Sequence, residues 1–91
     1  MGNNKLRYDS VPSLFDQAKN FRPGIYRHYK GDLYNALFVA RSSEARDEEF
    51  VVYQSLKKGF IWVRPLVMFL ENVEIDGKKQ PRFKWVRNKT Y

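Results

Sequence analysis

The chain has 91 residues, with 17 Lys and Arg against 10 Asp and Glu, a formal net charge of +7, one His and no Cys. At 43% hydrophobic and 16% aromatic residues it has the material for one small core, which excludes a wholly disordered chain. Without cysteine there are no disulfides, thiolate-bound metals or thiol nucleophiles. The longest apolar run, Leu66 to Leu70, is too short to span a bilayer, and Met1-Gly-Asn-Asn-Lys-Leu-Arg7 leads into no apolar stretch of signal type. The expectation is a cytoplasmic protein with no membrane role.

Met1 to Ser10 is polar and reads as a tail. Residues 11–21 suit a short helix: Pro12 and Ser13 fit a first turn, and Leu14, Phe15, Ala18 and Phe21 fall on one helical face. Arg22-Pro-Gly24 ends it, so residues 1–23 form an N-terminal tail and residues 24–91 a small β domain. From Ile25 the pattern changes to short β-rich runs: 25–30, 33–41, 50–55, 60–64, 72–76 and 82–87. Gly31-Asp32, the acidic run 44–49, Lys57-Lys-Gly59 and Asp76-Gly77 separate them. Asp76-Gly77 is the strongest hairpin signal and predicts pairing of Val73 and Ile75 with Phe83 and Trp85. Pro65 should end its strand, leaving Leu66–Leu70 as a buried crossing or a single 3₁₀ turn. Five or six short antiparallel strands in so few residues point to a mainly β fold, a small SH3-like barrel with a short N-terminal helix or tail. The apolar run Phe60–Val63 before a proline reads as a central strand with Trp62 in the core.

The basic excess is spread along the chain, interrupted by Glu44-Ala-Arg-Asp-Glu-Glu49. Such a field attracts polyanions through counterion release. The acidic run lacks the alternating oxygen ligands and turn glycine of a calcium loop, so no metal site is expected. No Gly-x-Gly-x-x-Gly or Gly-x-x-x-x-Gly-Lys-Ser/Thr run is present, and no cofactor is expected. Strand alternation puts Tyr26, His28 and Lys30 on one face and Arg27 on the other. In Arg82-Phe-Lys-Trp-Val-Arg87 it puts Phe83, Trp85 and Arg87 opposite Arg82 and Lys84. Aromatic surface flanked by cations is what stacking on unpaired bases uses. Trp62 and Arg64, with Arg41 and Arg27 on other strands, form a second such patch.

The run Gly24-Ile-Tyr-Arg-His-Tyr-Lys-Gly31, then Val39-Ala-Arg41, Val51-Val-Tyr-Gln54, Trp62-Val-Arg-Pro65, Met68-Phe-Leu-Glu71, Asp76-Gly77 and Pro81-Arg-Phe83, resembles the bacterial domain of unknown function 1653 family over residues 24–86. The resemblance implies a small bacterial β domain and no activity. Where that family usually reads Ala-Arg-His-Ser-Glu-Thr, this chain has Ala40-Arg-Ser-Ser-Glu-Ala45, without the second histidine.

These residues favour a non-enzymatic binding module for an anionic partner, foremost RNA or single-stranded DNA. Arg27, Lys30, Arg41, Arg64, Arg82 and Lys84 would contact phosphate, with Tyr26, Trp62 or Trp85 stacking on bases and His28 alongside. The alternatives are a protein or peptide interaction module with an aromatic groove and, behind it, a small hydrolase or ligand-processing domain using His28 and a carboxylate such as Glu44.

Overall fold

The structure, a computed structural model, describes residues 16–45 and 47–89; the expectations for residues 1–15 lie outside them. It begins with the short helix α1 (Asp16–Lys19) and continues through β1 (Gly24–His28), β2 (Leu33–Arg41), β3 (Glu49–Ser55) and β4 (Ile61–Pro65). There follow α2 (Leu66–Leu70), β5 (Asn72–Ile75), β6 (Lys78–Pro81) and β7 (Phe83–Arg87). Five strands form an antiparallel sheet in the order β4-β3-β2-β1-β7, and β5 and β6 form a separate hairpin. The mainly β class expected from the sequence holds. The sheet is open, however: β4 and β7 are its two edges and do not pair with each other, so the strands close no barrel.

Short turns and side-chain alternation make this sheet. Cross-strand partners share a face, so the registers set Tyr26, His28, Tyr34, Ala36, Val51, Tyr53, Trp62, Arg64 and Phe83 on one side. The core lies on that side. In α2, Leu66 and Phe69 fall three residues apart, on one helical face, and both are buried. Phe69 stacks on Phe83 with ring centroids 4.2 Å apart and planes within 4°, and meets Tyr26 and Tyr53 edge-on at 5.1 and 5.4 Å. Ahead of β1, Phe21 stacks on Tyr26 and meets Phe69 edge-on, and Ala18 of α1 is buried in the same cluster. The Tyr26 hydroxyl donates to the Arg22 carbonyl at 2.6 Å, so this buried phenol is satisfied.

Three expectations are corrected. Asp76-Gly77 does make a two-residue turn, both residues at positive φ (52° and 77°), but it pairs Ile75 with Lys78 and Asn72 with Pro81. So tight a loop leaves no slack to reach Phe83, and β7 joins β1 instead. Leu66–Leu70 is an α-helical turn that follows Pro65, whose missing N–H costs nothing at a helix start. Trp62 is 51% exposed, flanked by Ile61 and Val63 at 60% and 64%, because β4 has no strand beyond it.

Gly24 has φ 136°, and a β-carbon there would lie 2.7 Å from the Arg87 carbonyl oxygen and 2.9 Å from Trp85 Nε1. Gly24→Ala is therefore expected to destabilise by about 1–3 kcal/mol through backbone strain. Phe69→Ala, which empties the centre of the aromatic cluster, is expected to destabilise by about 3–5 kcal/mol. Urea unfolding midpoints of both variants check these values.

Candidate functional site

An open cleft of about 280 Å³ lies toward the β4 edge of the core face, lined by Asp32, Tyr34, Tyr53, Ser55, Lys58, Phe60, Trp62 and Arg64. No α2 residue lines it, so the face that is core beneath Phe69 continues here as surface. Strand pairing builds the lining: Tyr53 stands opposite Trp62, and Tyr34 opposite Ser55. Trp62 and Arg64, two residues apart on β4, point to the same side. The turn after β3 is closed by the Gly59 N–H donating to the Ser55 carbonyl and the Lys58 N–H donating to Ser55 Oγ, which sets Lys58 and Phe60 at the rim. Phe60 and Trp62 meet edge-on at 6.0 Å. Arg64 Nε donates to the Tyr53 hydroxyl at 3.3 Å, which ties the guanidinium to the wall.

His28 borders this region, its ring 4.9 Å from Phe83 and 6.3 Å from Tyr34 between centroids. The Lys30 backbone N–H donates to its Nδ1 at 3.1 Å, so the proton of the neutral ring sits on Nε2. Burial, and then the positive charges of Arg64, Arg82 and Lys30, hold the imidazole below its ordinary value near 6.5. The ring is thus a hydrogen-bond donor at Nε2 with its one lone pair occupied, an arrangement unlike that of a general base. Burial likewise pushes the Tyr34 phenol up, keeping that wall of the cleft neutral.

The other sequence candidates separate. Tyr26 is buried in the aromatic cluster, with no ring face open for stacking. Trp85 donates from Nε1 to the Pro23 carbonyl, and the Arg22 guanidinium sits 3.2 Å from its ring centre, covering one face. Arg41 is ion-paired with the buried Glu49 at 3.3 Å, and Arg82 with Glu71 at 2.8 Å. Arg27 and Lys84 are exposed on the face away from the cleft. Lys30 lies in the turn after β1, with its ammonium 5.9 Å from the Tyr29 ring centre. The cleft thus joins Trp62 and Arg64 of the expected residues, with His28 beside them, to Asp32, Tyr34, Tyr53, Lys58 and Phe60, which sequence reasoning missed. Glu44 lines no part of it. Ser42 Oγ accepts the N–H groups of Glu44 and Ala45, a loop-shaping role. Among the described residues no group of acidic or imidazole side chains is arranged to hold a metal ion, and no helix is long and apolar enough to cross a membrane.

Fold and site together define a small mainly β domain with an aromatic and cationic cleft near the free edge of one sheet. The chain belongs to the family described as "Protein of unknown function (DUF1653)", which matches residues 24–85. It is similar to the crystal structure of a protein of that family from Bordetella bronchiseptica, at 44% identity and a TM-score of 0.71, covering 81% of this chain and 97% of that one. A comparison with curated proteins finds no match.

The His28 environment has a pH consequence. Since the fold favours the neutral ring, the unfolded chain binds the proton more readily, and stability from this group is complete above about pH 6.5. It falls as acidification carries first the unfolded and then the folded imidazole through titration. An NMR titration of the His28 ring is expected to show protonation below its ordinary value, moving upward in Arg64→Gln.

Proposed function

We propose that the domain is a binding module for single-stranded nucleic acid, taking an unpaired base against Trp62 and phosphate against Lys58 and Arg64. The half-exposed indole beside two cations in an open cleft is the observation that supports this reading. Exposed aromatic faces stack bases without selecting sequence, at about 1–3 kcal/mol per base. No basic helix long enough to enter a major groove is found among the described residues, so base-edge readout has no element to carry it. His28 Nε2–H adds one donor beside the cations.

Titration with labelled single-stranded RNA and DNA at two salt concentrations tests this. Binding is expected to be nearly independent of base sequence and to weaken with salt. Trp62→Ala is expected to lower affinity by roughly 5- to 150-fold, the range its stacking energy implies. It should leave the unfolding midpoint nearly unchanged, because the ring is not core. Lys58→Ser is expected to reduce the salt slope by about 0.7, one single-strand phosphate contact. Absence of binding at low salt, or binding indifferent to Trp62→Ala, overturns the reading. Salt-insensitive capture of a peptide in the cleft favours the interaction-module alternative.

A further inference from the structure

The five-stranded sheet has two edges of opposite character. On β7 the edge carries Lys84 and Arg87, charges that discourage strand addition. On β4 it presents Ile61, Trp62 and Val63, all more than half exposed, with no charge until Arg64 and no proline until Pro65. The backbone at this edge is also open. The Ser55 N–H donates to the Phe60 carbonyl, so Phe60 directs its polar backbone toward β3. By the alternation of an antiparallel ladder, Trp62 and Arg64 do the same, while Ile61 and Val63 direct their N–H and C=O groups outward.

We propose that β4 is a self-association edge, pairing antiparallel with β4 of a second copy of this chain about a two-fold axis at Trp62. The register follows from the side chains. Centring on Trp62 sets Ile61 of each copy opposite Val63 of the other, so all four outward N–H groups find carbonyls. It also puts the two Trp62 side chains next to each other in a non-hydrogen-bonded pair, the closer of the two pair types, and each Arg64 opposite a Phe60 ring. Centring on Val63 instead sets Ile61 against Pro65, which has no N–H to give. Centring on Arg64 brings the two guanidiniums together, an opposition that destabilises. Centring on Ile61 sets Val63 against Gly59, whose N–H and carbonyl are already taken by Ser55 and Gln54 in the turn. The strand is thus complementary to itself in one register, which is why the occupant is a second copy. A two-fold axis perpendicular to the sheet keeps both copies' clefts on one side, so the pair forms a continuous trough with Trp62 at its centre. One strand pair of this length falls in the weak class of interfaces, below about 1,200 Å².

Sedimentation of the full chain, without nucleic acid, from micromolar to near-millimolar concentration is expected to show a monomer–dimer equilibrium. Val63→Pro removes an outward N–H that the β3–β4 ladder does not use, and Val63→Lys puts a charge on the edge. Both are expected to remain folded by circular dichroism and to be monomeric throughout. Because the chain has no cysteine, Trp62→Cys supplies a single thiol, and mild oxidation is expected to cross-link it far faster than Lys84→Cys on the other edge. A chain that stays monomeric, a dimer unchanged by either Val63 variant, or equal cross-linking at both edges overturns the proposal. A dimer lost only with Phe38→Ser, on the other face of the sheet, overturns it in favour of face-to-face stacking.

Discussion

Everything in this domain hangs on the contact between Phe69 and Phe83. So short a chain buries little surface, and among the described residues the open five-stranded sheet takes its cover from α2 and the segment ahead of β1. Phe69 comes from one helical turn and Phe83 from the start of the last strand, so their stack ties β7 and α2 to the middle of the sheet. Tyr26, Tyr53 and Phe21 then meet the stack edge-on, the geometry in which the positive rim of one ring faces the negative face of another. The tyrosines serve because their hydroxyls reach outward to polar partners, Tyr26 to the Arg22 carbonyl and Tyr53 to Arg64.

The same arrangement creates the cleft. A helix of five residues covers only part of the core face, and the strands run on beyond it with their alternation intact. Tyr53 therefore belongs to both regions, one side of it in the core and its hydroxyl on the cleft wall. The cations that surround His28 are held in different ways: Arg82 by Glu71, Arg64 by a phenol that takes none of its charge. What the cleft offers a ligand is thus Arg64 and Lys58 against the single carboxylate of Asp32.

The sequence carried the elements that depend on neighbours along the chain. Alternation marked β2 and β3, Asp76-Gly77 marked a turn, and Pro65 marked the end of β4 because a proline ring has no ladder hydrogen to give. What failed were inferences that need strand order. A continuous apolar run such as Phe60-Ile-Trp-Val63 looks like a strand covered on both faces, and nothing in those residues says that no further strand follows. Lys78-Lys-Gln-Pro81 has little strand character, and only the two-residue turn before it enforces the pairing. The cleft was half legible for the same reason. Trp62 and Arg64 announce a shared face by their spacing, whereas Tyr34, Tyr53 and Lys58 join them only through register and a turn. Tyr26 and Trp85 dropped out because Phe69 and Arg22, distant in sequence, cover them.

The β5–β6 hairpin stands apart from this economy. None of its residues is fully buried, it forms its own two-stranded sheet, and its base, closed by Arg82 and Glu71 through both backbone and side chain, meets the body where the Tyr29 N–H donates to the Arg82 carbonyl. An isolated two-stranded ribbon is marginal in water, so its amides should exchange with solvent by local opening long before those of β1, β2 and β3. The Asp76-Gly77 tip is accordingly a place where foreign sequence, a fluorophore attachment loop or an affinity epitope, can be carried on the far side of a weak joint while the aromatic cluster keeps its packing.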